Sequence, residues 1–449
     1  MNAERTALFS DAPVRKAVLT LAVPTVISQL ITVVYNMADT FFIGKLNDPL
    51  QVAAAIIAMP CFMLLTGFAN LFGLGGSSLI SRCLDTGDQE KARHYASFCI
   101  WTGAAAALLY GIAVVLLEPM LFPILGAGTD TWEYCCQYAF WTIGVGAVPT
   151  VMNAELAHLI RAEGYSKPAG FGVAFGGVLN ILLDPIFIFT FRLNIQGAAI
   201  ATMLSNLIAT GYFLGFLCRI RKNTVITPSL KAFSIKQHIP AEVLSVGLPG
   251  FVMTMMSTVS NGALNHMAAG YSDTAIAGMG IAKKIDLLAY AIAQGMTQGT
   301  LPLIGYNYTS GSHKRMKSAI KTAFAYSFLI ACAGAILLWT LAAPISRCFI
   351  ADAETVGYGQ HFLKIICLAC PTTAVNFMVI TVFQAIGKKV QPLCLSLLRK
   401  GSLDVVFMVI LNHAVGVSGI AWATPFADWI AFGISVVLIA PYLKRLSDD

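Results

Sequence analysis

Apolar segments of bilayer-spanning length constrain the fold of this chain more than any other feature. Twelve such segments lie at 16–43, 51–83, 94–117, 134–160, 168–191, 196–220, 238–268, 275–308, 316–342, 357–385, 391–412 and 418–443. They are far longer than the roughly 9 to 11 residues of a transmembrane strand, and a helix satisfies its own backbone hydrogen bonds in lipid. The sequence therefore predicts an all-α integral membrane protein with 12 transmembrane helices.

The composition agrees, since only 11% of residues are charged against about 25% in average soluble proteins. Residues 1–16 are polar and the apolar run after them is too long for a signal peptide, so the first helix is expected to be retained. Of the 11 Cys, the close pairs Cys135 with Cys136 and Cys367 with Cys370 lie in or beside apolar segments, without the second pair and flanking polar residues that a zinc site needs. We expect no cofactor and, because the basic residues lie in loops, no nucleic-acid partner.

Basic residues mark one side of the membrane. They concentrate in the N-terminal tail and in every second loop: Arg5, Arg15, Lys16; Arg82, Lys91, Arg93; Arg161, Lys167; Arg219, Arg221, Lys222, Lys231, Lys236; Lys314, Arg315, Lys317; Lys388, Lys389; Lys444 and Arg445. The positive-inside rule places these loops in the cytoplasm. We therefore expect a multi-pass protein of the inner (plasma) membrane with both termini cytoplasmic.

The two halves of the chain repeat one pattern. Matching positions, at offsets of 225, 224, 224 and 222 residues, are Pro24 with Pro249, Gly87 with Gly311, Pro168 with Pro392, and Gln196 with Ser418. Residues 1–220 and 238–449 are expected to form two six-helix bundles joined by a cytoplasmic linker at 221–237. Six helices per half preserve orientation, so pseudo-twofold symmetry about the membrane normal and a cavity between the bundles are expected. One chain is then enough for a functional monomer.

Asp184 is the residue that most needs a functional explanation. It lies inside the apolar run 171–191, where a charge costs roughly 2.5 to 3.5 kcal/mol on insertion scales. Asn180 lies one helical turn before it on the same face. Pro185 follows directly, lacks an N–H, and leaves a carbonyl acceptor free nearby. The alternative is that Asp184 only bonds neighbouring helices.

The first apolar segment offers a second carboxylate. Tyr35, Asn36 and Asp39 share one helix face. Asp39 and Asp184 both belong to the outer half of their segments, so they are expected to meet in one pocket. Two carboxylates with amide oxygens suit a cation, whereas crowding suits a proton. Both ions remain open, as does the alternative that Asp39 is an ordinary interfacial acid.

Pro24 lies mid-segment in helix one and is interpreted as a hinge that lets the part bearing Asp39 bend. A static kink is the alternative. Pro185 is a second hinge candidate.

In the second half, Asp404 follows Arg399 and Lys400 by about one turn, which favours an internal ion pair. Glu155 and His158, near the end of the fourth segment, are interpreted as snorkelling or pairing with each other.

Candidates for a substrate cavity are polar, aromatic and Met residues, the last being adaptable in shape. They are Tyr35, Asn36, Tyr138, Met152, Asn153, Phe175, Asn206, Met255, Asn261 and Met296. The alternative for Met and Phe is an ordinary place in the core or against lipid. Asp428 matches Asn206 in the repeat and is interpreted as bracing helices.

Short motifs along nearly the whole chain resemble the multidrug and toxic compound extrusion (MATE) family. In the first half these are AVPTVISQL, MADTFFIG, LGGSSLISRCLDTGDQEKAR, LIRAEGYSKPA, NILLDPIFIF and IQGAAIAT; in the second half they are LPLIGYNYTSGSHKRM, QAIGKKVQP and VSGIAWATPFAD. The resemblance implies two six-helix bundles forming a V. It also implies export of bulky, often cationic amphipathic compounds against an inward Na⁺ or H⁺ gradient.

The resemblance also implies a coupling site. One branch of the family uses an acid in helix one, an Asn and an Asp in helix five and a Thr in helix six, which match Asp39, Asn180, Asp184 and Thr202 here. Other members place acids in helices seven and ten. Here those helices offer only Asn261, Asn265, His266 and Asn376. No second ion site is therefore expected in the C-terminal half.

Three other functions are considered. A lipid-linked oligosaccharide flippase is the nearest, but it would line its cavity with Arg and Lys for pyrophosphate. An enzyme is not expected, because the chain has no HExxH, GxSxG or Asp-rich metal motif. A passive channel fits the duplication less well than alternating access. The sequence therefore predicts a cation-coupled antiporter of small organic molecules.

Overall fold

The structure is a computed structural model that describes residues 3–46, 48–236, 238–268, 271, 273–349 and 352–448. Within these ranges the secondary structure is helical, without a strand. The long helices are α1 (Val14–Gly44), α2 (Pro49–Thr86), α3 (Gln89–Ile124), α4 (Thr129–Val145 and Ala147–Ala162), α5 (Ser166–Thr190), α6 (Asn194–Arg219), α7 (Ile239–Ala268), α8 (Asp273–Thr309), α9 (His313–Thr340), α10 (Ala353–Ala385), α11 (Val390–Ser396, Leu397–Leu403 and Asp404–Val415) and α12 (Val417–Asp448). The all-α prediction is confirmed, and each predicted segment corresponds to one long helix.

Two of these helices are less apolar than the others. Of the described residues, nine helices are long and apolar enough to span a membrane, and α4, whose two parts meet at a bend of 49°, is a tenth. The remaining two are interrupted by polar groups. They are α8, with Lys283 and Asp286, and α11, with Arg399, Lys400 and Asp404. The chain thus keeps several charged side chains at membrane depth in its second half.

Glycines end equivalent helices in the two halves. Gly87 after α2 and Gly311 after α8 have φ of 74° and 65°, and Gly164 after α4 and Gly387 after α10 have φ of 84° and 74°. A residue with a side chain rarely adopts this left-handed conformation, which ends a helix. The same backbone turn at matching positions supports the internal duplication.

By contacts between residues the chain divides into two compact units. Within the described residues, the first unit contains 3–11 and 27–254, and the second contains 12–26 and 255–448. The divisions fall inside α1, shortly after Pro24, and inside α7, shortly after Pro249. The boundaries drawn from the duplication, 1–220, 221–237 and 238–449, stay a prediction, and the compact units differ from them at these two helices.

Small residues set the packing of the first unit. A methyl group at Gly73 of α2 would lie 2.7 Å from the His158 ring of α4, and one at Gly76 would lie 2.7 Å from Leu159. Helices in lipid associate through such close packing, because burial from water supplies no driving force between them. The outer face of α3 is apolar and exposed, for example at Leu116 (72%) and Ile124 (71%). That face suits contact with lipid.

The linker is fastened to the first unit. Side chains of α3 donate hydrogen bonds to linker carbonyls at 2.7, 2.9 and 2.9 Å, from His94 to Ala232, from Ser97 to Ser229 and from Trp101 to Pro228. Phe98 stacks on Phe233 with ring centroids 6.0 Å apart. This part of the predicted linker is therefore an ordered strap along α3.

Candidate functional site

The centre of the candidate site lies between α5 and α6. Asn180 and Asp184 are both fully buried on one face of α5. The Asn180 amide donates to Asp184 Oδ1 at 3.3 Å and to Thr202 Oγ1 of α6 at 3.2 Å. The structure therefore brings three of the four predicted coupling residues into direct hydrogen-bond contact.

Asp39 reaches this centre because α1 approaches α5 closely. Gly177 of α5 has no side chain, and a methyl group there would lie 2.9 Å from Ile31 and 3.0 Å from the Tyr35 ring. One turn beyond Tyr35, Asp39 is close enough for its charge to interact with that of Asp184. The fourth predicted residue thus joins the other three.

The site holds oxygen atoms that nothing else in the described residues satisfies. Asp39 Oδ1, Asn180 Oδ1 and Asp184 Oδ2 are buried and have no hydrogen-bond partner there. Nor does any Lys or Arg of the described ranges form a salt bridge with Asp39 or Asp184. Buried acceptors are normally paired, and an unpaired buried charge is costly. The arrangement fits a site that takes up a proton or a hard cation coordinated by oxygen.

A polar network extends from this centre. Asn206 donates to the Thr202 carbonyl at 3.0 Å and accepts from Asn153 of α4 at 2.8 Å. Tyr138 is buried, and its hydroxyl interacts electrostatically with both carboxylates. Tyr35, Tyr138, Asn153 and Asn206, predicted as cavity residues, therefore lie around the candidate ion site.

Asn36, next to Tyr35 on α1, donates to the Thr32 carbonyl of its own helix at 2.8 Å. The remaining predicted cavity residues lie elsewhere. Met152 and Met296 are 6% and 2% exposed and belong to buried cores. Phe175 is exposed and stacks on Phe171 with ring centroids 5.9 Å apart. Met255 is half-buried, and Asn261 is exposed. The side chain of Asn265 lies outside the described part of the chain. Substrate contact by these residues stays a prediction.

Pro185 changes the type of helix rather than ending it. It is the last α-helical residue of α5, and Ile186–Thr190 continues as a π-helix. Such turns are frequent at functional sites and leave backbone groups less regularly paired. This irregularity directly follows Asp184. The π-helix was not predicted, and Pro185 was its only signal.

The ionisable groups of α4 differ from their prediction. Glu155 is fully buried, and neither of its carboxylate oxygens has a hydrogen-bond partner among the described residues. Snorkelling or pairing with His158 is therefore wrong for this residue. The reason is packing, because a methyl group at Gly103 of α3 would overlap Glu155 Oε2. The missing side chain at Gly103 lets α3 cover the carboxyl group.

We expect Glu155→Gln to be tolerated and Glu155→Ala to be destabilising. Gln keeps the shape without a buried ionisable group, so its stability should stay within about 1 kcal/mol of the parent. Ala leaves a cavity and should cost about 2 kcal/mol or more. Melting of the purified protein in detergent measures both, with exposed Glu133→Ala as control. Equal destabilisation by Gln and Ala would contradict this account.

A second polar cluster lies in the second unit. Lys400 Nζ lies 3.4 Å from Asp404 Oδ2, which confirms the predicted internal pair. Arg399 instead pairs with Asp428 of α12, whose carboxylate also accepts from Thr373 at 2.6 Å. Bracing by Asp428 is confirmed. The pairing across helices was missed, because local spacing reveals only partners on the same helix.

Comparison with known proteins agrees with the motifs. A family model described as MatE matches residues 24–186 and 249–410, so both halves match the same model. The multidrug export protein MepA of Staphylococcus saprophyticus is 29% identical over 449 residues, covering 100% of this chain and 98% of that protein. The two family matches begin at Pro24 and Pro249, the residues that the duplication pairs.

Solved structures of similar proteins cover the whole chain. One shows the outward-facing conformation of a multidrug resistance MATE family transporter of the MOP superfamily, and another shows MATE in the straight conformation. Each is 25% identical, has a TM-score of 0.90, and covers 100% of this chain and of its own. The predicted fold of 12 transmembrane helices in two bundles is confirmed.

Proposed function

Because this chain belongs to the MatE family of multidrug and toxic compound extrusion transporters, we propose that it exports amphipathic, often cationic organic compounds by antiport. It is a multi-pass membrane protein of a transporter family rather than of an enzyme family. Its relative MepA is named a multidrug export protein and spans the same length, which supports a small-molecule substrate. The coupling ion of the proposed exchange is H⁺ or Na⁺.

The observation that carries this proposal is the uncompensated pair of acids in the first unit. Asp39 and Asp184 lie together at membrane depth, and three buried oxygens of the site lack partners among the described residues. A transporter that only recognised an organic molecule would not need two buried carboxylates without a basic residue beside them. Binding and release of a small cation explain why this costly arrangement is kept.

Exchange requires the ion and the drug to favour different conformations, since a ligand with equal affinity for both shifts nothing. We place the moving part in α1. Pro24 removes a backbone hydrogen bond, and the boundary of the first unit falls shortly after it, with Asp39 beyond the boundary. Ion binding at Asp39 would therefore bend or reposition the outer part of α1 and release drug outside.

The orientation proposed from the basic loops puts both termini in the cytoplasm and the protein in the inner membrane. A functional monomer is proposed from the duplication, because one chain holds both six-helix halves. On this orientation the part of α1 that bears Asp39 lies towards the outside. Drug release and ion entry would then use the same side.

Ethidium efflux from vesicles that contain the purified protein tests the proposal. Na⁺ and pH gradients are imposed separately, with protein-free vesicles as the baseline. Efflux driven by one gradient identifies the coupling ion. No efflux under either gradient would contradict antiport and favour the lipid-linked precursor flippase, which the same vesicles test with a fluorescent lipid-linked sugar.

A further inference from the structure

The duplication allows the candidate ion site to be compared with its counterpart in the second unit. In the register of Pro168 and Pro392, Gly177 of α5 corresponds to Gly401 of α11. A methyl group at Gly177 would lie 2.9 Å from Ile31 of α1, and one at Gly401 would lie 2.6 Å from Met256 of α7. Ile31 and Met256 also correspond when the two halves are aligned on Pro24 and Pro249. Residues that match in the sequence alignment therefore make equivalent contacts in the two units.

The same register pairs the polar residues of the two units. Asn180 corresponds to Asp404 and, in the register of Gln196 and Ser418, Thr202 corresponds to Thr424. Asn180 donates to Thr202 at 3.2 Å, and Thr424 donates to Asp404 Oδ1 at 3.2 Å. The second unit thus has a polar centre at the equivalent place. It lies between α11 and α12, as the first lies between α5 and α6. We call it the second centre: Ser260, Lys283, Lys400, Asp404 and Thr424.

The two centres differ in charge. Asp404 is fully buried, and its Oδ2 lies 2.5 Å from the Ser260 hydroxyl and 3.4 Å from Lys400 Nζ. Lys283 Nζ donates to Thr424 Oγ1 at 3.1 Å. Ammonium groups are therefore built into the second centre, whereas the first has no basic partner among the described residues. Neither acid of the first centre has an acidic counterpart here, because Asp39 corresponds to Leu264 and Asp184 to Met408.

Lys400 supplies the ammonium group that forms the salt bridge with Asp404. Lys400 stands where the first unit has Gly176. A methyl group at Gly176 would lie 3.0 Å from Ala209 Cβ and 3.8 Å from the Asn153 amide, so this position faces the polar interior of its unit. In the second unit the side chain at this position is Lys400, whose ammonium group is a compact cation with three donors. This group points at Asp404.

The other charged groups around Lys400 do not take its place beside Asp404. Arg399 pairs with Asp428, and its guanidinium carbon lies 4.6 Å from the Phe377 ring centre and 5.9 Å from that of Tyr290. Asp286 lines a small cavity together with Arg399, Lys400 and Asp428. It makes no salt bridge within the described residues. Within the described residues, Lys400 is therefore the basic residue that forms a salt bridge with Asp404.

We propose that the second centre is a monovalent-cation site whose ion is replaced by the ammonium group of Lys400, supported by Lys283. An exchangeable cation then binds only in the first unit, which limits the chain to one such site. Removing the ammonium group opens the second centre to Na⁺ or to a proton. This inference goes beyond the transport proposal, since it concerns binding alone and does not require that efflux be coupled.

Lys400→Met tests the proposal in the purified full chain. We expect it to gain one site per chain, seen as saturable ²²Na⁺ binding or, without Na⁺, as uptake of one additional proton. The gain should persist when Asp184→Asn is added, which separates it from the first site. Exposed Lys284→Met on α8 is the matched control and should gain nothing. A folded Lys400→Met protein that binds neither ion would overturn the proposal.

A second variant covers the case in which Lys400→Met fails to fold. An unpaired buried Asp404 destabilises the protein, so Na⁺, Li⁺ or acidic buffer should restore its folding. Lys400→Met with Asp404→Asn should fold without any added ion and should gain no site. Failure of every ion to restore Lys400→Met would overturn the proposal, as would a cation site that persists in the double variant.

Discussion

Asp184→Asn is expected to reduce gradient-driven efflux by at least about 100-fold, to the level of protein-free vesicles. Asn has the same shape and still accepts the hydrogen bond from Asn180, but one of the two carboxylates is lost. Truncating one partner of a buried charge pair, here the carboxylate that would hold the ion, costs about 3 kcal/mol of binding, which is roughly 100-fold in affinity. Without differential ion binding, the gradient no longer shifts the conformational equilibrium.

The measurement is ethidium efflux under the gradient that drives the parent protein. Asp130→Asn, an exposed acid at the start of α4, is the matched control and should transport normally. Gel filtration and melting in detergent should show that Asp184→Asn remains folded. Undiminished efflux by a folded Asp184→Asn protein would exclude this residue from coupling.

Gly177→Val is expected to abolish coupling as well, through geometry rather than charge. The first added carbon would lie 2.9 Å from Ile31 and 3.0 Å from Tyr35, closer than packed carbon atoms allow. We expect the added side chain to displace the Ile31 and Tyr35 side chains and to push α1 away from α5, which would move Asp39 away from Asp184. Overpacking of this kind typically costs about 1 to 3 kcal/mol in stability. We expect ion-driven efflux to fall at least about tenfold, as a shared site requires both carboxylates.

Gly215→Val is the control, because a side chain at Gly215 of α6 meets nothing within 4 Å. Ion-dependent thermal stabilisation gives a readout apart from transport: Gly177→Val should lose it, whereas Gly215→Val should keep it. If Gly177→Val keeps both efflux and ion-dependent stabilisation, the approach of α1 to α5 does not form the site.

The long helices and the core of the candidate site follow from local sequence. Apolar runs of bilayer length leave the backbone no alternative to a helix, and spacing of four residues places Asn180 and Asp184 on one face. The approach of α1 depended on Gly177, which carries no signal except the absence of a side chain. Its role was visible only in three dimensions.

The remaining features depend on contacts between distant segments. The burial of Glu155 is set by Gly103 of α3, and the partner of Arg399 lies on α12. Neither is encoded in the spacing around the residue itself. The division of α1 between two compact units likewise reflects packing rather than sequence duplication. Aligning the halves residue by residue was the one sequence observation able to reveal the counterpart of the ion site.

The strap along α3 has a practical consequence for protein engineering. The segment between the halves is the longest polar stretch between helices and invites a protease site, an affinity tag or a fused reporter. Three side chains of α3 and a ring stack hold it, so an insertion at 228–233 would have to break these contacts. The connection around Gly126, where an added side-chain carbon would meet nothing within 4 Å, is the better place for such an insertion.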